Sequence, residues 1–211
     1  MGRRLEAVVS TDVAVSSQAI TVMTRSLHLL LISGSLRDRS TNTAVLRTVT
    51  EIAGRGVTTT LYGGMAGLPH FNPDDDREGE PVHVAVADLR ARIAAADAVL
   101  LCTPEYAGAL PGALKNLLEW TVGDSGTYRK PIAWINASGR SAPTGGADAH
   151  DSLRKVLGYV HADIAEEACI RIPLTRDAVG ADQTITDPAA REMIGHAVAA
   201  LARYVADRDS H

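Results

Sequence analysis

The stretch GSLRDRSTN, residues 34–42, combines one glycine with hydroxyl, amide and guanidinium side chains between an apolar run and an amphipathic segment. Such a pattern is typical of a strand that passes through a short turn into a helix. The unpaired N–H groups and the positive dipole end of a helix N-terminus attract anions. Arg37 can add a planar, charge-assisted fork. Additional side-chain donors are available from Ser35, Ser40, Thr41 and Asn42.

The composition of this stretch restricts the kind of phosphate that it can bind. It has no second glycine followed by Lys-Ser/Thr, as a nucleotide-triphosphate loop requires, and Gly34 is its only glycine, so the GxGxxG pattern of dinucleotide sites fails too. The hydroxyl, amide and guanidinium donors of this stretch suit a terminal phosphate monoester. The alternative is a hydrophilic turn with a helix cap and no ligand.

A second stretch, TPEYAGALPGALKNLLEW from Thr103 to Trp120, is rich in proline and glycine around one tyrosine. Prolines stiffen a loop, glycines let backbone approach a ligand closely, and Tyr106 offers a flat face. Such a loop can present backbone N–H and C=O groups to the edge of a heteroaromatic ring. The alternatives are an ordinary half-buried aromatic for Tyr106 and a solvated turn residue for Glu105. Lys115 is expected to form a local ion pair.

The elements around these stretches alternate between strand and helix. The strand-like segments are SLHLLLIS, GVTTTLYG, DAVLLCTPEY, KPIAWINAS and DIAEEACIRIP, and each precedes a helix-like segment. This order predicts one α/β domain with a doubly wound, five-stranded parallel sheet and helices on both faces. Ligands of such sheets bind at the carboxyl ends of the strands. That rule selects three ligand loops: the first, 33–41, the second, 103–110, and the third, 137–146.

Length and composition limit the classes of protein. The 211 residues, 45% hydrophobic and 22% charged, suit one globular domain, which we place at residues 25–211 after a loosely ordered extension at 1–24. A net charge of −4 without basic runs argues against nucleic-acid binding. No apolar run is long enough to span a membrane. The two cysteines, Cys102 and Cys169, are widely separated, which favours a reducing cytoplasm.

Other chemistries have little support in the sequence. There is no HExxH pattern and no GxSxG elbow, and the seven histidines are scattered, with His70 alone on an expected ligand-side loop. The run Asp74-Asp75-Asp76 is predicted to be a solvated loop, and Cys102 to be a core residue. We therefore predict no metal site and no catalytic side chain. Such a sequence fits a protein whose cofactor carries the reaction.

The two motifs together, GSLRDRSTN and TPEYAGALPGALKNLLEW, resemble those of the NAD(P)H-dependent FMN reductase family, which includes quinone, azo-dye and chromate reductases. The resemblance extends from about Leu27 to the last helix. It implies a flavodoxin-like fold with strand order 2-1-3-4-5, and a homodimer or homotetramer whose ligand loops lie near the interface.

The resemblance also implies site residues. The first motif is expected to bind the FMN phosphate through Ser35, Arg37, Ser40 and Asn42. The second is expected to border the isoalloxazine ring with Pro104, Glu105 and Tyr106. The family's asparagine after the tyrosine is Ala107 here, so backbone groups are expected to bind the flavin at that point. A glycine-rich third loop corresponds loosely to NASGRSAPTGG and adds Ser138, Gly139 and Arg140.

The implied activity is an oxidoreductase with FMN as cofactor and NAD(P)H as co-substrate. Ping-pong hydride transfer would pass electrons to free flavin, a quinone or another small acceptor. Two alternatives remain open, a flavodoxin-type electron carrier and a non-catalytic nucleotide-binding sensor. Electron carriers tend to be strongly acidic and to pack aromatics around the flavin, whereas this chain has a net charge of −4, one Phe and two Trp.

Overall fold

The computed structural model describes residues 26–139 and 143–210. The extension predicted for residues 1–24 lies outside this part of the chain. The strands are β1 (Leu27–Ser33), β2 (Val57–Tyr62), β3 (Ala98–Thr103), β4 (Pro131–Ser138), β5 (Asp163–Ile164) and β6 (Ile170–Pro173). The helices are α1 (Thr41–Ile52), α2 (Val84–Ala95), α3 (Gly112–Glu119), α4 (Ala147–Tyr159) and α5 (Pro188–Asp209).

The strands form one parallel sheet in the order β2-β1-β3-β4-β5, and β6 also pairs with β4. This confirms the predicted flavodoxin-like order 2-1-3-4-5. The chain reverses its direction of winding between β1 and β3, which are neighbours in the sheet. The first and second ligand loops follow these two strands, so both lie at the switch point where such sheets bind ligands.

Alternate residues of the central strands face two separate hydrophobic cores. Leu29 and Leu31 of β1 pack in the cluster that includes the buried residues of α1 and α5. Leu30 and Ile32 pack on the other face, with residues of α2, α3 and α4. All four of these side chains are at most 1% exposed. Helices therefore cover both faces of the sheet, as predicted. The apolar runs of these strands indicated this arrangement, because parallel strands that are buried on both sides are apolar at every position.

The predicted fifth strand is divided into two. The segment 163–173 forms β5 and β6, and a short 3-10 turn, Glu166–Ala168, separates them. Glu166 forms an ion pair with Arg154 of α4. Two consecutive glutamates cannot continue a strand that is buried on both faces, so the chain turns outward there before it pairs with β4 again.

The second helix starts later than predicted. We expected Pro81 to open it, but α2 begins at Val84, and the His83 ring Nδ1 accepts a hydrogen bond of 3.2 Å from the Ala85 N–H. A side chain that satisfies a free N–H of the first turn fixes the start of a helix. The difference does not affect the ligand loops, since the amino end of α2 follows the loop after β2.

Both cysteines are free, and Cys102 is fully buried in β3. Burial raises the pKa of the Cys102 thiol well above its usual value, which agrees with its prediction as a core residue. Burial likewise raises the pKa of Cys169 to about 12. Within residues 26–139 and 143–210, no helix is long and apolar enough to cross a membrane.

Candidate functional site

The three ligand loops meet at the carboxyl edge of the sheet and enclose a cavity of about 430 Å³. Every predicted site residue that the structure describes lines it: Ser35, Arg37, Ser40, Asn42, Pro104, Glu105, Tyr106, Ser138 and Gly139. Arg140 lies outside the described residues. The cavity is also lined by Thr41, Ala137, Pro143, Leu174, Thr175 and Arg176.

The first loop ends in a capped helix. The Ser40 hydroxyl accepts a hydrogen bond of 3.5 Å from the Thr43 N–H and so serves as the N-cap of α1. Asn42 is 5% exposed, and its Oδ1 accepts from the Cys102 thiol at 3.4 Å, which leaves its amide N–H groups as donors. Arg37 is exposed at the cavity wall. The amino end of α1 thus supplies neutral and positive donors to the cavity.

Gly34 holds this loop against β3. Its N–H donates a hydrogen bond of 2.7 Å to the Cys102 carbonyl. A Cβ at this position would lie only 2.4 Å from Thr103 Oγ1 and 2.8 Å from Thr103 Cβ. A glycine is required here because the Thr103 side chain, at the end of β3, occupies the space that a Cβ would need.

The second loop is a tight turn that places Tyr106 at the cavity mouth. Tyr106 and Ala109 exchange backbone hydrogen bonds of 3.0 and 3.1 Å. Between them Ala107 and Gly108 have positive φ values of 51° and 71°. The Tyr106 ring remains 46% exposed, so a flat ring surface is open to a ligand and to solvent.

Glu105 connects the second loop to the third. Its carboxylate accepts a hydrogen bond of 2.5 Å from the Thr144 hydroxyl, 39 residues further along the chain. The alternative that Glu105 is only a solvated turn residue is therefore wrong. Lys115, by contrast, forms the local ion pair that was predicted, with Glu119 at 2.6 Å.

We expect Thr144→Val to weaken FMN binding by about 1 kcal/mol, the usual net contribution of one hydrogen bond. The substitution keeps the shape of the side chain but leaves the second and third loops unlinked, so the cavity loses part of its preorganised shape. A fluorescence titration with FMN measures the effect, and Thr144→Ser is the matched control. If valine and serine give the same affinity as threonine, the link has no role in binding.

A network of buried groups supports the start of the third loop. Asn136, at the end of β4, is 1% exposed, and its Oδ1 lies 2.9 Å from His150 Nδ1 of α4. Trp134 Nε1 donates a hydrogen bond to the same ring nitrogen at 2.9 Å, so that nitrogen is the acceptor and its approach to Asn136 Oδ1 is not a second hydrogen bond. Burial, together with the nearby positive charges of Arg154 and Arg171, lowers the pKa of His150. The neutral ring therefore ties α4 to the strand that leads into Ser138.

A fourth loop, which follows β6, also reaches the cavity and was not predicted from the sequence. Its residues Leu174, Thr175 and Arg176 line the cavity, and the Leu174 N–H donates a hydrogen bond of 2.8 Å to the Ser138 carbonyl. A signal was present, since this loop also follows the carboxyl end of a parallel strand. The rule that selected the other three loops applies equally to it.

The fold and the site define a class. A flavodoxin-like sheet carries, at its switch point, a lysine-free loop with hydroxyl, amide and guanidinium side chains, and the Tyr106 ring lines the same cavity. Residues 27–173 match the profile of the family described as NADPH-dependent FMN reductase. The chain belongs to this family.

Curated relatives agree with the family profile. The chain is 32% identical over 185 residues to an NAD(P)H-dependent FMN reductase of Pseudomonas aeruginosa, covering 87% of this chain and 97% of the relative. It is 32% identical over 142 residues to a quinone reductase of Escherichia coli, covering 66% of this chain and 74% of that one. Members of this group are oxidoreductases by name.

A solved structure shows the same likeness. The flavoenzyme NAD(P)H:(acceptor) oxidoreductase FerB of Paracoccus denitrificans superposes with a TM-score of 0.74 and 27% sequence identity. The match covers 86% of this chain and 98% of that one. The likeness therefore extends over nearly the whole of the relative and over the strands and helices that form the cavity here.

Proposed function

We propose that this chain is an FMN-dependent NAD(P)H oxidoreductase that reduces a free flavin, a quinone or another small acceptor. One observation carries the proposal: the capped amino end of α1 and the Tyr106 loop open into the same cavity. The first can bind a phosphate and the second can border an aromatic ring, and FMN has both groups. Membership of the NADPH-dependent FMN reductase family supports the assignment.

The donors of the first loop fit the phosphate of FMN. A dianionic monoester needs donors and positive charge, and the first-loop residues at the cavity include hydroxyls, an amide and a guanidinium but no carboxylate. We assign the phosphate to Ser35, Arg37, Ser40 and Asn42.

The second and third loops fit the ring of FMN. We assign its neighbours as Pro104, Glu105, Tyr106, Ser138 and Gly139, with Arg140 as a further prediction outside the described residues. The positive φ of Ala107 and Gly108 turns backbone groups of the second loop around the cavity mouth. These groups can supply the contact that the family makes with an asparagine at the position of Ala107.

Bound FMN would supply the redox chemistry, taking hydride from NAD(P)H and passing electrons to an acceptor. The chain's contribution is to hold the flavin at one end and to leave a face open. The exposed Tyr106 ring marks that open side. Nicotinamide and acceptor would use this space in turn, which gives ping-pong kinetics. We assign no side chain as an acid or base.

An electron-carrier function has less support. Flavodoxin-type electron carriers dock on protein partners through a strongly acidic surface, whereas this chain has a net charge of −4 and a pI of about 6.0. The curated relatives named above are reductases of small molecules. We therefore propose small-molecule acceptors and no macromolecular partner other than further copies of the chain, as a homodimer or homotetramer in the cytoplasm.

A steady-state acceptor panel tests the proposed function. Purified protein reconstituted with FMN is assayed for oxidation of NADPH and of NADH with FMN, riboflavin and a benzoquinone as acceptors. We expect turnover with at least one pair of nicotinamide and acceptor. Double-reciprocal plots should give the parallel lines of ping-pong kinetics. Protein that binds FMN but oxidises neither nicotinamide would favour the carrier, and protein that cannot bind FMN would contradict both flavin functions.

A further inference from the structure

A second cavity of about 510 Å³ adjoins the phosphate end of the proposed flavin site. It is lined by Arg37, Arg39, Arg176, Val179, Gly180, Ala181 and Gln183. Arg37 and Arg176 line both cavities, whereas Arg39 lines only the second. The two cavities therefore share two arginines, and the second brings a further cation that the flavin cavity lacks.

Within the described ranges 26–139 and 143–210, none of the three arginines of this cavity forms a salt bridge. Asp182, which lies in sequence between the lining residues Ala181 and Gln183, accepts hydrogen bonds of 3.0 Å from both the N–H and the hydroxyl of Thr184. Like charges that share one cavity repel each other, and a bound anion relieves this repulsion.

The backbone of the first loop places Arg39 where it can add this charge. Arg39 has a φ of 24°, a conformation that residues with a side chain rarely adopt. It immediately precedes the N-cap residue Ser40, so the loop reverses there before α1 begins. Arg37 and Arg39 of the first loop and Arg176 of the fourth loop thus line the second cavity together.

We propose that this arginine cavity, formed by Arg37, Arg39 and Arg176, binds a second phosphate monoester that belongs to a substrate of the flavin site. The inference rests on the proposed function. Guanidinium forks bind phosphate oxygens in pairs, and the dianion of a phosphate monoester neutralises more of the positive charge than a bridging diester does. Two substrates of the proposed reaction carry such a group: NADPH, in its 2′-phosphate, and free FMN acting as acceptor.

Neither Arg77 nor Arg129 lines this cavity. Arg77 forms an ion pair with Asp74 at 3.4 Å. Arg129 precedes β4, whose eight residues separate it from the carboxyl edge by about 25 Å at the usual rise per residue. Arg140 lies outside the described residues. Arg39 is the cation that lines the second cavity without lining the flavin cavity.

The test uses FMN-loaded protein and the substitution Arg39→Gln, because Arg39 does not line the flavin cavity. With riboflavin as acceptor, the ratio of kcat/KM for NADPH over NADH reports the contribution of the 2′-phosphate. With NADH as donor, the ratio for FMN over riboflavin as acceptors isolates the flavin phosphate. We expect one of these ratios to fall roughly tenfold, the effect of losing one charge-assisted hydrogen bond. Arg39→Lys should retain part of the preference, and Arg39→Glu should abolish it.

Calorimetric titration gives a readout that does not depend on turnover. If the donor is the source of the phosphate, Arg39→Gln should weaken NADP⁺ binding to the FMN-loaded protein and leave NAD⁺ binding unchanged. If the acceptor is the source, only binding of excess FMN should weaken relative to riboflavin. Arg55→Gln, in the turn before β2 at the opposite edge of the sheet, is the matched control and should change neither ratio.

The outcomes separate this inference from the proposed function. A fall in either ratio supports the arginine cavity and names its ligand. An active wild-type protein whose two ratios are both unchanged by Arg39→Gln and Arg39→Glu overturns the inference and leaves the proposed function intact. A wild-type protein that oxidises neither nicotinamide contradicts the proposed function itself.

Discussion

Replacement of Arg37 by alanine is expected to weaken FMN binding by about 1.5–3 kcal/mol, the contribution of a hydrogen bond to a charged group. Arg37 lines the cavity beside the amino end of α1 and has no acidic partner within residues 26–139 and 143–210. Its guanidinium is therefore available to a phosphate. Riboflavin lacks this phosphate, so its affinity should change far less.

The comparison of the two flavins makes this prediction specific. Dissociation constants are measured by flavin fluorescence on the apoprotein, without nicotinamide and with protein in excess over flavin, so that the second cavity stays unfilled. Arg47→Ala is a suitable control because Arg47 is exposed on α1 and lies outside both cavities. Equal losses of FMN and riboflavin affinity in Arg37→Ala would refute a phosphate contact.

Replacement of Gly34 by alanine should have the second large effect. The new Cβ would lie 2.4 Å from Thr103 Oγ1 and 3.0 Å from a methyl carbon of Leu114, and Thr103 is fully buried. Overpacking of this kind costs about 1–3 kcal/mol of stability. The loop that carries Ser35 and Arg37 must move away from β3, so FMN affinity should fall as well.

Urea unfolding and a flavin titration measure these two effects. Gly54→Ala provides the control, because a Cβ at Gly54 meets nothing within 4 Å, and its stability should be unchanged or slightly higher. In the double variant Gly34→Ala/Thr103→Ala the nearest clashing atom is absent, so part of the loss should be recovered. A Gly34→Ala protein with wild-type stability and affinity would show that the Thr103 side chain does not restrict the space at this position.

The central part of the sheet was predictable from the sequence for a physical reason. The strands β1, β3 and β4 are buried on both faces, so each is a nearly continuous apolar run that no surface element imitates. The strand at the far edge was less predictable. Its run of apolar residues contains Glu166 and Glu167, and only the tertiary pairing of Glu166 with Arg154 shows where the chain leaves the sheet.

The site was predictable where it depends on local sequence. The N-cap at Ser40 and the tight turn after Tyr106 follow from residue types within a few positions. Contacts between distant parts of the chain could not be predicted from the sequence. The hydrogen bond from Thr144 to Glu105 is an example, because no local pattern encodes a partner 39 residues away. Arg176 differs from this case, because its loop follows the carboxyl end of a parallel strand and the rule that selects the other three loops would have included it.

Anaerobic rapid mixing of the FMN-loaded protein with NADPH tests most directly whether this cavity holds a flavin that accepts hydride from a nicotinamide. We expect the visible absorbance of the bound flavin to bleach in a single turnover, and to return when a quinone is added. The same experiment with NADH follows the alternative donor. A bound flavin that stays oxidised in excess NADPH and in excess NADH would contradict the proposed reductase function.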